Sequence, residues 1–255
     1  MLSSLLPPSV REAVYRRKFL DNRVPDLFLG SFEDFPAAAA SAPRYAAQRR
    51  LPPSAPLSIP QVLISDYPSI FWLGKALGEG MRSVFDLGGE VGVKYYAFRR
   101  MLDYPADLRW TVCEDEHMVR QGQELAVQRE VAGQLSFTDN MQAASGHDVL
   151  YASGSLAYMP ARISEIVGAL AEKPKRIILN ATAVHPDRTL YTLQNTGFAV
   201  APCRIQHHDE LLAELALAGY QRRDGWRNEG KQIRIPFVHG GEKPYYAGCC
   251  FDLYT

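Results

Sequence analysis

The chain has 255 residues, 47% hydrophobic, 22% charged and 11% aromatic, which suits one large α/β domain or two small ones and argues against a largely disordered polypeptide. Its 28 basic and 28 acidic residues cancel, so no whole-molecule field draws it to nucleic acid or to an anionic membrane. Cys113, Cys203, Cys249 and Cys250 form neither a C-x-x-C pair nor a zinc-ligand spacing, and no apolar run approaches the roughly 20 residues that span a bilayer. Reduced core thiols, no bound metal and a cytoplasmic location are the expectations.

Residues 1–80 are rich in proline and carry an alanine run at 37–40. They read as short helices joined by turns, an amino-terminal extension or lid ahead of a domain at 81–255. Helical spacing predicts a helix over 9–20. Pro52, Pro53, Pro56 and Pro60 predict an extended segment, because proline lacks the N–H that a helix interior or a central strand requires. Apolar residues closed by Gly78 and Gly80 predict a helix at 69–80. Tyr45, Tyr67 and Phe71 could line a pocket or simply a core.

Beyond residue 80 the rhythm is regular. Apolar runs predict strands at 83–87, 109–113, 134–137, 148–152 and 176–180, alternating with helices at 93–102, 116–129 and 160–171. Alternation of this kind implies right-handed crossovers and a parallel sheet covered on both faces. An amphipathic helix at 209–220 is followed by strands near 220–226 and 245–253, an antiparallel hairpin completing the sheet.

The chemistry centres on Asp86-Leu87-Gly88-Gly89-Glu90-Val91-Gly92, at a predicted strand-to-helix turn. Glycines there permit tight turning and close approach of a ligand to backbone N–H groups. Charge selects the ligand. A pyrophosphate would meet Asp86 and Glu90, and two like charges at about 4 Å repel by roughly 4 kcal/mol at an effective dielectric near 20. A cationic, phosphate-free adenosyl compound is favoured instead, with Asp86 holding an ammonium through the loop. The triphosphate-binding pattern G-x-x-x-x-G-K-[ST] is absent. Glu114, at the second strand's tip, can accept hydrogen bonds from both ribose hydroxyls, although Asp115 and Glu116 compete for that role. Phe137 and Thr138 either flank an adenine or serve as a core aromatic and a helix cap.

The turn from Asp86 to Gly92 with Tyr95-Tyr96, together with Thr111–Glu114, Leu135–Phe137, Ala152-Ser153-Gly154-Ser155-Leu156 with Tyr158, and Phe28-x-Gly30-Ser31-Phe32, resembles the class I S-adenosylmethionine-dependent methyltransferases. More narrowly, it is similar to a bacterial methyltransferase family whose glycine loop reads D-x-G-G-x-x-G. The resemblance implies a Rossmann-like, mostly parallel seven-stranded sheet with an antiparallel last strand. It also implies an S-adenosylmethionine site at Asp86, Gly88, Gly89, Gly92, Glu114, Phe137, Thr138 and Ser153. Glu90 stands where the wider superfamily usually has its middle glycine.

Methyl transfer is an in-line displacement at a carbon activated by positive sulfur, so holding the reactants in line supplies much of the catalysis. An oxygen acceptor of high pKa adds a need for a general base. His185, expected in the loop after the fifth strand, is the candidate base, and Tyr158, after the fourth, is expected to position the acceptor. His207 and His208 read as capping or surface residues. The loop lacks the N/D-P-P-Y/F tetrapeptide of enzymes that methylate base amino groups. The expectation is therefore methylation of a small-molecule or glycan-type acceptor, more at oxygen than elsewhere. The alternatives are an NAD(P)-dependent oxidoreductase and a non-catalytic scaffold of the same fold.

Overall fold

The computed structural model describes residues 7–21, 24–43, 61–197, 199–238 and 242–254. The expected extended segment at 52–60 and Tyr45 lie outside these residues.

The predicted alternation is present as β2 (Ser83–Leu87), β3 (Arg109–Cys113), β4 (Leu135–Thr138), β5 (Val149–Ser153) and β6 (Arg176–His185). They lie in the order β4-β3-β2-β5-β6, all parallel. The hairpin β9 (Tyr220–Asn228) and β10 (Tyr245–Leu253) follows, with β10 between β6 and β9 and antiparallel to both. Every residue of β2 is buried, as a strand covered on two faces demands. Helices α3 (Tyr67–Gly78), α4 (Val93–Phe98) and α5 (Glu116–Gln128) pack on one face. Helices α6 (Ile163–Gly168) and α7 (His208–Leu217) cover the other. Side chains alternate accordingly: Ile177 and Leu179 join the α6–α7 layer, and Ile178 joins the α3–α4 layer.

Among the described residues the sheet has ten strands rather than seven. The extra three are β1 (Leu27–Phe32), β7 (Leu190–Asn195) and β8 (Val200–His207), an antiparallel ribbon in the order β1-β7-β8. It joins the main sheet through Val184–Gln206 and His185–His207. This attachment is possible because β6 continues to His185, five residues beyond its predicted end, past Ala181 at φ 48°. Pro202 hides β8 in the sequence. It is tolerated because β8 meets β6 only at Gln206 and His207, leaving the rest of that edge without a ladder bond to lose.

Helix α1 (Pro8–Leu20) matches its prediction, and α2 (Phe35–Ser41) starts at Asp34, whose side chain accepts from the Ala37 N–H at 2.7 Å. The regions predicted helical at 93–102 and 160–171 shorten to α4 and α6. All four cysteines are buried free thiols, and among the described residues no helix is long and apolar enough to cross a membrane.

Helix α5 rests on β4 through Gly122, where a Cβ would fall 2.2 Å from the Phe137 ring. Gly122→Val should therefore lower stability by about 1–3 kcal/mol through overpacking, read as a shift of the urea midpoint at unchanged slope.

Candidate functional site

The carboxyl ends of β2, β3 and β5 are held level by bonds that extend the ladder past each strand. Gly88 N donates to Cys113 O at 2.9 Å, Glu114 N to Thr138 O at 3.0 Å, and Gly154 N to Asn180 O at 2.9 Å. Between β2 and α4 the chain turns through Gly88 (φ 76°), Glu90 (φ 56°) and Gly92 (φ 87°). The non-glycine residue at positive φ is Glu90, the position that departs from the usual glycine pattern.

The glycines are fixed by the protein's own packing. A Cβ on Gly88 would lie 2.3 Å from Ser155 Cβ, and one on Gly89 would lie 2.4 Å from Asp86 Oδ2. One on Gly92 would lie 3.0 Å from Leu135 Cδ2. Ser155 is tied in place by its hydroxyl, which donates to Leu87 O. The close-approach space inferred from sequence is thus filled, in the Cβ directions, by Ser155, Asp86 and Leu135.

Asp86 does not flank an open loop as expected. It is 1% exposed, lies beneath Gly89, and accepts from Trp110 Nε1 at 3.1 Å. Burial pushes its carboxyl up to about 7, against the lowering pull of the Trp110 bond and of Lys94, while Glu114 and Glu90 add to the rise. Glu114 reaches back across the strand ends, accepting from Glu90 N at 3.1 Å and from Asp115 N at 3.4 Å. Its rivals are engaged elsewhere. Asp115 caps α5 by accepting from His117 N and Met118 N, and Glu116 pairs with Arg120 on the surface.

A buried ion pair beside the turn is absent from the sequence reading. Asp66, 1% exposed, ends a 3-10 turn (Ile64–Asp66) and meets Lys94 Nζ at 2.7 Å, two residues past Gly92. It also accepts from Leu63 N at 3.0 Å and, at 3.5 Å, from Asn180 Nδ2. Asn180 donates to Ser153 Oγ at 3.4 Å and accepts from Trp226 Nε1 and Asn228 Nδ2. Ser153, of the expected set, sits in this network. The pair carries no motif or periodicity; only the burial of Asp66 reveals it.

The side chains of the remaining expected residues have partners of their own. The Phe137 ring packs against Gly122 in the core, so it offers no open face to an adenine, because α5 occupies that face. Thr138 caps the following turn, its Oγ1 accepting from Asn140 N at 3.1 Å. His185 is the last residue of β6 rather than a loop residue, is 1% exposed, and accepts from Asp187 N through Nδ1 at 3.0 Å. Burial lowers its pKa, which keeps the imidazole neutral near pH 7. Tyr158 donates its hydroxyl to Gln194 of β7 at 2.9 Å. Both candidates are therefore engaged with the added ribbon or its attachment.

No family model matches the sequence, and no curated protein matches it. Among solved structures, the N-terminal domain of EvdMO1 in the presence of SAH and D-fucose is 13% identical, with a TM-score of 0.50 over 75% of this chain and 84% of that one. Magnesium protoporphyrin IX methyltransferase (ChlM) from Synechocystis PCC 6803, with bound SAM, is 16% identical with a TM-score of 0.47 over 73% and 77%. The mitomycin 7-O-methyltransferase MmcR is 16% identical with a TM-score of 0.44, and the chain spans only 54% of its length. Most of these structural neighbours are named as methyltransferases, and several were solved with SAM or SAH bound.

A carboxyl whose folded-state pKa is raised stabilises the fold below its unfolded value near 3.8, and that contribution is lost as the pH climbs through 7. Asp86→Asn should therefore gain on wild type between pH 4 and pH 8, by at most on the order of 4 kcal/mol. Urea unfolding at both pH values measures it; a pH-independent difference would show that Asp86 is not the buried titrating group.

Proposed function

We propose that the chain is an S-adenosylmethionine-dependent methyltransferase acting on a small-molecule or glycan-type acceptor, with transfer to oxygen. The observation that carries the reading is the charge of the strand edge: Asp66, Asp86, Glu90 and Glu114 gather around one turn whose nearby cation is Lys94. With Lys94 taken by Asp66, that set of acceptors repels a diphosphate and suits a ligand with an ammonium, a sulfonium and ribose hydroxyls. The fold's neighbours, solved with SAM or SAH, support the same ligand.

When bound, S-adenosylmethionine supplies a methyl group on positively charged sulfur. In this reading Glu114 accepts from the ribose hydroxyls, its carboxylate held by the Glu90 amide. Asp86, under Gly89, stabilises the ligand's ammonium electrostatically through the turn. Gly88, Gly89 and Gly92 fix the backbone path that presents the turn, and Ser153 lines the edge beside Asn180. His185 is proposed as the base, a role that requires its buried Nδ1 to exchange the Asp187 N–H for the acceptor's proton, and Tyr158 as the acceptor-positioning group once its hydroxyl leaves Gln194. The D-x-G-G-x-x-G resemblance supports the same assignment.

A ligand cation beside Asp86 favours its ionised form, so binding below pH 7 must expel a proton. S-Adenosylhomocysteine, which carries the ammonium, should accordingly lose affinity as the pH falls below 7, by up to about tenfold per pH unit. Calorimetry at pH 6, 7 and 8 reads this directly. Glu114→Ala should weaken the same binding by about 1.5–3 kcal/mol. Tight NAD(H) binding without an adenosylhomocysteine signal would replace the proposal with the oxidoreductase reading; ligand binding with no turnover on any acceptor would replace it with the scaffold.

A further inference from the structure

On the α7 side of the hairpin lies a cavity of about 330 Å³ lined by, among others, His208, Arg222, Gly225, Arg227, Tyr245 and Cys249. It lies across the sheet from the layer that holds α4, because Cys249 and Ala247 belong to the α6–α7 core and Cys250 to the α3–α4 core. Strands β10 and β9 stand three and four places from β2, roughly 14–19 Å at about 4.8 Å per strand. The cavity is separate from the glycine turn.

Its cations are aimed by the backbone. The register of β9 on β10 shifts between Cys250 and Phe251, so Arg222 is opposite Phe251, Gly225 opposite Cys249 and Arg227 opposite Ala247. The bulge therefore puts Arg222, instead of Arg223, on the same face as Gly225 and Arg227. Arg223 pairs with Asp252 at 3.4 Å. The Arg227 guanidinium stands 4.2 Å over the Tyr245 ring, which fixes its plane, and the His208 ring lies 6.1 Å from the same tyrosine. Among the described residues that line the cavity none is a carboxylate. Two stand beside it, both about four-fifths exposed: Glu229, 3.4 Å from Arg227 Nε, and Asp209, 3.4 Å from His208 Nδ1 and close enough to Tyr245 to help raise its pKa.

Gly225 is the decisive residue. A Cβ there would meet only ordinary contacts, Cys249 Sγ at 3.7 Å being nearest, and its φ is not in the left-handed region. Unlike Gly88 or Gly248, it is required by neither packing nor backbone. Its missing side chain leaves room for the Arg222 guanidinium, whose Nη1 would stand 4.0 Å from that Cβ.

We propose that this cavity is a second ligand site that binds a phosphorylated small molecule, the phosphate held between Arg222 and Arg227 and the remainder against Tyr245 over Gly225. Two guanidiniums match a phosphate dianion, and the volume leaves room beyond the phosphate. The proposal is independent of the chemistry assigned to the glycine turn.

The test is calorimetry on the full chain with glucose 6-phosphate and with inorganic phosphate, at ionic strength matched with sodium chloride. Saturable one-to-one binding is expected, lost by at least about tenfold in Gly225→Leu and in Arg227→Gln, and retained in Arg223→Gln. The urea unfolding midpoint should be the same in all three variants as in wild type, which reports that each is folded. Tighter binding of the sugar phosphate supports an ester as the ligand, and equal affinity supports free phosphate. Absence of saturable binding by either probe, or unaltered binding in Gly225→Leu, overturns the site.

Discussion

A carboxyl group enclosed under a main-chain turn constrains everything around it. Asp86 fills the space that a side chain on Gly89 would need, and Trp110 Nε1 satisfies one of its oxygens from the neighbouring strand. Because Ser155 occupies the corresponding space at Gly88, the ends of β2, β3 and β5 meet in one interlocked corner. Burial raises the Asp86 pKa to about 7, so this corner can respond to a cation placed over it near neutral pH.

The Asp66–Lys94 pair extends the corner in a second direction. Through Asn180 it links the 3-10 turn, the end of β5 and the β9 side chains Trp226 and Asn228. Removal of one partner from such a network leaves an uncompensated buried charge, so its members are held together more strongly than surface pairs. The elements on both sides of the strand edge therefore share one polar scaffold.

The ribbon β1-β7-β8 extends the sheet beyond its parallel strands. It reaches β6 through only two residue pairs, yet it engages both residues that sequence reasoning chose for catalysis: His185 pairs with His207, and Tyr158 bonds Gln194. The reach of the amino-terminal residues into the sheet through β1 makes residues 27–32 part of that architecture.

The sequence by itself determined the alternating strands from Ser83 to the start of β6, their helices and the closing hairpin, because buried parallel strands are short continuous apolar runs with glycine turns between them. It also placed Asp86, Gly88, Gly89, Gly92 and Glu114 close together, since they are adjacent in chain or at matching strand ends. Only the tertiary structure decided which way those groups face. Phe137 went to the core because Gly122 of α5 offered it space, Asp86 went under Gly89, and Lys94 found Asp66 from 28 residues away. The ribbon escaped notice for the same reason: β1, β7 and β8 are mixed-polarity segments, one broken by Pro202, whose pairing depends on long-range partners that no local period encodes.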